Sequence, residues 1–253
     1  MLISAIIVVK NEEDTIEDCL RSIRQLVNEI IIVDDESTDK TVDIARKYTS
    51  KIFRHHLESL GLQLKYALTK TTNNWVIWLD ADERITPELE REIREKLKHP
   101  KYNGYHVFFH VLFLGKDIQP QGKETQGCIR LFNKKKSILL TPPIHPRLEI
   151  EGEAGVLKAR ILHLSYRTIS QTLEKFNKYS SWEAEELFAG GGRTNLEYLL
   201  FAPLNAFFHQ YILWGSYRYG FYGLMVSTCR AIYYLMKHLK LWELNLKNED
   251  QDK

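Results

Sequence analysis

The sequence predicts an α/β fold: a mostly parallel central sheet flanked by helices, followed by an α-helical C-terminal extension. Three observations carry this. Apolar runs alternate with segments of helical spacing through the first hundred residues, which is the signature of βαβ units. The runs at 2–9, 29–33 and 75–79 are almost unbroken by polar residues, as strands covered on both faces are. The last third changes in composition, with 13 of the 29 aromatic residues lying between positions 198 and 242.

The elements follow in order. Residues 2–9 form a first strand; Ile16, Leu20, Ile23 and Leu26 then recur at helical spacing. EIIIV at 29–33 is a second strand, and the DDESTD that ends it suits the cap of a helix over 40–48. A short strand at 51–53, a helix at 57–68 and a strand at 75–79 follow. Residues 86–97 make a helix with Pro87 in its first turn. In a sheet of this kind ligands bind outside the carboxyl ends of the strands. Three strands here end in polar groups: Lys10-Asn11-Glu12, Asp34-Asp35 and Asp80-Ala81-Asp82.

The chain has 253 residues, 44% hydrophobic and 27% charged, with a net charge of +2, so bulk charge does not point to nucleic acid. Three scattered cysteines argue against a disulfide framework or zinc site and fit a reducing compartment. The first residues lack a basic region and read as a strand rather than a signal peptide. Neither GxGxxG after the first strand nor GxxxxGK[ST] occurs, which argues against dinucleotide enzymes and P-loop ATPases.

Crowded carboxylates repel and drift towards protonation unless they share a cation. Mg²⁺ or Mn²⁺ takes oxygen ligands, commonly one or two carboxylates plus substrate phosphates. In an extended Asp-x-Asp both side chains project to one side. The competing reading is that such acids cap the next helix and offset its dipole, a role expected of Glu83.

VVKNEEDTIEDCLRSI, EIIIVDDESTDKTVDIA and NNWVIWLDADERITPEL together resemble the inverting family 2 glycosyltransferases of GT-A fold. Within them the likeness is closest to bacterial lipopolysaccharide-core β-1,4-glucosyltransferases. It is strong over 2–97 and looser through CIRLFNKKK, PPIHPRLEIEG, ILHLSY and the tail. The resemblance implies a metal-dependent transferase that uses a UDP-sugar, with glucose as the sugar, and a lipopolysaccharide-core or related glycolipid acceptor. Val8, Val9, Lys10 and Asn11, with Glu12, would border the nucleotide; Asp35 would bond the uracil with Asp34 beside it. Asp80 and Ala81 would approach the ribose, and Asp82, with Asp80, would hold Mg²⁺ or Mn²⁺. Lys65 falls where relatives carry a basic residue near the donor, or is an exposed helix lysine. Arg130 would meet a phosphate or an acceptor acid, or form a surface ion pair.

Inversion needs a general base on the acceptor side. Many relatives have His-Glu after the RLF segment, whereas this chain has His145-Pro146. Three candidates remain open: His145 itself, Glu149 and Glu124, each with the alternative of a structural or solvated side chain. His163 is expected to be a satisfied histidine at a strand end, and Lys134–Lys136 a solvated hairpin turn.

The expected division is a catalytic domain over 1–167, with 1–98 binding the nucleotide-sugar and 99–167 facing the acceptor, then a helical region over 168–253. Residues 169–187 read as a helix stopped by Gly190, Gly191 and Gly192. Two later apolar stretches carry central polar residues such as Asn205 and Arg230, so neither reads as a transmembrane span. Aromatic, basic helices suit a membrane interface; the resemblance implies that this is the cytoplasmic face of the inner membrane. The alternative is packing on the catalytic domain or on a second copy as a homo-oligomer. Two rival functions stay open. A sugar-nucleotide nucleotidyltransferase would want a Gly-rich basic loop where VVKNEED stands. A catalytically inactive, membrane-associated binding protein on the same fold would explain the missing His-Glu.

Overall fold

The computed structural model describes residues 1–56, 59–118, 127–140 and 146–251. Contacts divide the chain into two compact units, Met1–His110 with Gln126–His163, and Val111–Thr125 with Leu164–Lys253.

The first unit begins with β1 (Ile3–Val9), α1 (Ile16–Ile23), β2 (Glu29–Asp34), α2 (Thr41–Ala45), β3 (Ile52–Arg54), α3 (Leu60–Lys70) and β4 (Trp75–Asp80). β5 (Glu83–Ile85) and α4 (Pro87–Lys98) follow, then β6 (Gly104–Phe113), β7 (Lys116–Asp117) and β8 (Cys128–Asn133). β9 (Ser137–Leu140), β10 (Arg147–Ile150) and β11 (Gly155–Tyr166) complete the strands. The main sheet runs β3-β2-β1-β4-β8-β6-β11-β5, with β7 on β6, while β9 and β10 form a separate antiparallel ribbon. The last residues of β6 and β11, and all of β7, belong to the second unit.

The continuous apolar runs have a plain cause. Ile7, Ile32 and Ile77 face a core that includes residues of α1 and α4, whereas Ile6, Ile31 and Val76 face one built on Leu64 and Ala67 of α3. Strands covered on both faces cannot alternate. β1 runs parallel to both β2 and β4, as helix-crossover strands should. Among the described residues no α-helix lies between α4 and Tyr166, and the strands of this segment enter the sheet antiparallel: β8 with β4 and β6, and β11 with β5.

Several local expectations shift. The 40–48 helix is only Thr41–Ala45: Asp39 Oδ1 accepts from Thr41 N and Oγ1 at its entry, and beyond Ala45 the chain tightens into bonds from Lys47 N to Ile44 O and from Tyr48 N to Ala45 O. α3 starts at Leu60, capped by the Ser59 hydroxyl, which accepts from Leu62 N at 3.3 Å; residues 57 and 58 of the expected helix lie outside the described residues. Lys134–Lys136 is a 3₁₀ turn between β8 and β9, which belong to different sheets, so it is not a hairpin turn.

In the second unit α5 (Ile169–Ala189) and α6 (Leu196–Phe208) both pack on α7 (Phe221–Gln251). Thr168 caps α5 and Asn195 caps α6, each accepting from a backbone N–H of the first turn. Lys240 of α7 donates to Asn177 Oδ1, Ser180 Oγ and Ser181 Oγ of α5 at 2.7–2.9 Å. No described helix is long and apolar enough to cross a membrane.

Glu29 pins the amino end of β2. Burial alone would raise its pKa, but Lys51, Ser4 and Thr72 donate to it and bring the carboxyl down to about 2. A folded pKa below the unfolded value means stabilisation that is complete above about pH 5 and disappears as pH falls towards 2. Glu29→Gln should therefore cost about 2 kcal/mol at pH 7 and roughly half of that at pH 3, where the native carboxylate is still mostly ionised, read by urea unfolding at both values.

Candidate active site

The site grows from β1. Val9 lies opposite Asp34 of β2, and Val8 opposite Asp80 of β4, so one register sets both acidic motifs on either side of a single strand end. The chain leaves β1 towards β2 and β3 and returns across it to β4, which makes the β1/β4 boundary the switch point where such sheets open a crevice.

Two backbone positions here are unusual. Asn11 (φ 53°) and Glu36 (φ 56°) occupy the left-handed region that favours glycine. Asn11 is held there by the neighbouring loop: its N–H donates to Ser37 Oγ at 2.9 Å, and its Oδ1 accepts from Thr38 N at 2.8 Å. The β1 and β2 loops thus lock to one another, and Glu12 N and Glu13 N add bonds to Thr41 Oγ1 and Asp39 Oδ2.

Asp34 and Asp35 are both buried. Asp34 accepts from Ser37 N, turning the loop back on itself. Asp35 Oδ2 accepts from Lys10 Nζ at 2.8 Å, while His56 Nδ1 lies 3.6 Å from its Oδ1. Lys10 keeps nearly half of its side chain exposed, so it reaches from the buried acid to solvent.

The second motif is built around a buried cation. Arg130 of β8 donates to Asp80 Oδ2 at 2.9 Å and to Glu83 Oε1 at 2.7 Å. Its guanidinium carbon lies 4.1 Å from the Trp78 ring centroid and 5.4 Å from that of Phe109. Trp78 Nε1 donates to the other Asp80 oxygen at 3.1 Å, and Glu83 Oε2 accepts from Asp80 N at 3.0 Å. Burial pushes the Glu83 carboxyl up to about 8 against the pull of Arg130. Burial also works against the Arg130 charge, but Asp80 and Glu83 outweigh it and raise its pKa. Arg84 fastens the turn from below, donating to Ala81 O, Glu83 O and Thr15 O.

Asp82 is largely buried and faces His163 of β11, whose Nε2 lies 3.4 Å from its Oδ1. Burial lowers the His163 pKa, but the hydrogen bond and charge of Asp82 prevail and raise it. Mg²⁺ or Mn²⁺ fits this donor set only in part. Asp80 and Asp82 are hard oxygen donors, yet among the described residues no three His, Cys, Asp or Glu side chains converge to cage an ion. The remaining coordination has to come from substrate phosphates and water, which is how Mg²⁺ is commonly held.

The structure thus brings Val8, Val9, Lys10, Asn11, Asp34, Asp35, Asp80, Ala81 and Arg130 to the carboxyl ends of neighbouring strands. Lys65 is exposed on α3. Glu149 is exposed on β10, opposite Ile138 in the ribbon, and Arg147 on its own face is exposed as well. Glu124 and His145 lie outside the described residues. Two expectations are corrected. Glu83 does not cap α4: it is fully buried in β5, and Thr86 Oγ1 caps the helix by accepting from Leu89 N at 3.2 Å. Arg130 forms no surface ion pair, being 5% exposed beneath the two acids. Trp78, Phe109 and the contact of His163 with Asp82 were not anticipated; the one signal was a histidine inside the apolar run ILHLS.

Residues 4–152 match the family model described as Glycosyl transferase family 2. An uncharacterised glycosyltransferase of Rickettsia typhi is 29% identical over 261 residues, covering 98% of this chain and 89% of its own. The lipopolysaccharide core biosynthesis glycosyltransferase LpsC of Rhizobium meliloti is 26% identical over 249 residues, covering 95% of this chain and 92% of its own. Among solved structures, glucosyl-3-phosphoglycerate synthase of Mycobacterium tuberculosis, in complex with Mn²⁺, UDP and glucosyl-3-phosphoglycerate, matches with a TM-score of 0.50 at 19% identity. That match covers 77% of this chain and 81% of the other and concerns the fold, which is GT-A-like as the sequence led one to expect.

Removing Arg130 would strand Glu83 in the interior. Arg130→Met should cost about 3–5 kcal/mol by urea unfolding. Arg130→Met/Glu83→Met should recover most of that loss, because no carboxyl group is then left fully buried beside an apolar neighbour.

Proposed function

The chain belongs to glycosyl transferase family 2, and from that premise we propose a metal-dependent, inverting transferase that moves a sugar, glucose by preference, from a UDP-sugar to a lipopolysaccharide-core or related glycolipid acceptor. The observation that carries this reading is the register of β1, with Asp34 beside Val9 and Asp80 beside Val8. It joins two acidic motifs, far apart in sequence, at one strand end.

In this reading Asp35, fixed by Lys10, accepts from the uracil N–H, while Val8, Val9, Asn11 and Glu12 border the base. Asp80 keeps 39% of its side chain exposed although both oxygens already accept bonds. A carboxylate has about four lone-pair sites, so it can still take a ribose hydroxyl or a metal-bound water. Asp82 would hold the ion, with Asp80 adjoining and His163 turned towards the same carboxylate. A bound divalent cation supplies charge to the departing diphosphate without proton transfer. Arg130 and Trp78 keep Asp80 from swinging away, and Arg84 keeps the turn rigid. The acceptor hydroxyl gives its proton to a base on the open side of the sugar; Glu149 is the described candidate, with Glu124 and His145 beside it in the sequence reading.

The second unit supports placement on a membrane surface, the cytoplasmic face of the inner membrane. Leu196, Leu200, Leu204 and Phe208 recur every four residues along α6 and are all exposed, joined by Phe201 (62%) and Leu213 (68%). Arg193 and Arg218, both exposed, flank this stretch in sequence. Apolar residues beside cations suit an anionic bilayer interface, and an acceptor with a lipid anchor is presented there. The competing occupant of this face is a second copy of the chain.

Two measurements test these assignments. Asp82→Ala should lower Mn²⁺-dependent turnover of UDP-glucose at least 100-fold and remove the Mn²⁺ dependence of UDP binding; tight UDP binding by the unaltered protein with no turnover under any acceptor condition would instead indicate a binding protein. Phe201→Glu/Leu204→Glu should reduce co-flotation with anionic vesicles at least tenfold while leaving UDP binding unchanged; equal flotation would refute the membrane surface.

A further inference from the structure

The second unit contains a half-open cavity of about 380 Å³ that the proposed chemistry does not use. Its wall is a run of touching rings. Phe113 meets Tyr166 with centroids 5.9 Å apart, Tyr166 meets Phe176 at 6.2 Å, and Phe176 meets Tyr233 at 5.2 Å. Val226 and Cys229 of α7 complete the apolar side. The described lining residues include one cation, Arg230, and no acid. The Arg230 guanidinium lies 4.2 Å from the Trp214 ring centroid and 5.5 Å from that of Tyr234, so aromatic faces set its position.

One wall of the cavity is itself irregular. Residues His209–Leu213 form a π-helical turn, a local form that recurs at functional sites. It turns Gln210 inward, where its amide donates to Ser216 Oγ at 2.7 Å, and Trp214 follows it into the lining. Ile212 and Leu213 of the same turn are exposed. One short segment thus gives residues both to the cavity and to the exposed apolar surface.

We propose that this cavity binds the hydrocarbon chain of a single anionic amphiphile, with the carboxylate or phosphate of its head paired to Arg230. Its size and lining suit a specific small-molecule site. A sugar would leave hydroxyls without partners among these rings, whereas a hydrocarbon chain loses nothing there. A guanidinium is the group that takes a carboxylate or phosphate through paired hydrogen bonds. The proposal leans on the membrane-surface reading only for the route by which such a ligand arrives.

The test is isothermal titration of the full chain with dodecyl phosphate, dodecanoate and dodecanol, each below its aggregation limit, without vesicles. Saturable one-to-one binding of an anionic ligand is expected. Val226→Trp and, independently, Cys229→Phe should fill the cavity and weaken that binding at least tenfold, with circular dichroism confirming the fold of each. Arg230→Gln should bring the two anions down to the affinity of dodecanol. Tighter binding of dodecyl phosphate assigns a lipid phosphate, and tighter binding of dodecanoate a free fatty acid. No saturable binding of either anion, binding undiminished in the folded cavity-filling variants, or anion affinity unchanged in Arg230→Gln would overturn the proposal. Vesicle flotation of Val226→Trp should remain at the unaltered level, so a failed titration beside normal flotation removes the cavity site and leaves the membrane surface standing.

Discussion

The crevice depends on a fixed cation beneath its carboxylates. Glu83 has no access to water, and Asp80 is only three residues away, so two carboxyl groups meet at the end of an apolar strand. Left alone, such a pair would protonate or swing apart. Arg130, arriving from a strand antiparallel to β4, bridges the two acids and is held by flanking rings. The antiparallel half of the sheet is therefore part of the crevice, because it delivers the group that lets the two acids stand side by side.

What the sequence made legible follows from which forces are local. The parallel half could be read because burial on both faces leaves an unbroken apolar run, and helices leave a 3.6-residue rhythm. Its register brought Asp34 and Asp80 to one strand end without any need to see a side chain. The antiparallel half was harder. Strands such as β8 and β11 find their partners through long-range pairing, so nothing near Arg130 in sequence announces that it will pass under Asp80. Glu83 shows the same limit. An acid just before a Thr-Pro helix start reads as a capping group, and only the pairing of β5 with β11 reveals that it faces inward. His163 reaches Asp82 through that same pairing, 81 positions further along the chain.

The helical unit obeys a different rule. Several of its polar groups are spent on internal bonds, with Lys240 gathered into α5 and Asn195 capping α6, while many of its large apolar side chains remain outside. A globular unit seeking stability alone would do the reverse. The aromatic enrichment visible in the sequence therefore divides into two populations, one lining the cavity and one displayed on α6 and the π turn.

The left-handed backbone at Asn11 restricts which sequences this crevice can explore. Asparagine, aspartate and glycine accept that conformation at little cost, whereas a β-branched side chain there would strain the loop that interlocks the first two strand ends. Glutamate adopts the same conformation at position 36, so unbranched side chains remain open at position 11 while β-branched ones do not, and Lys10 is tied by its bond to Asp35. Variation in this crevice should accordingly arise through the side chains around this turn of backbone, with the turn itself left untouched.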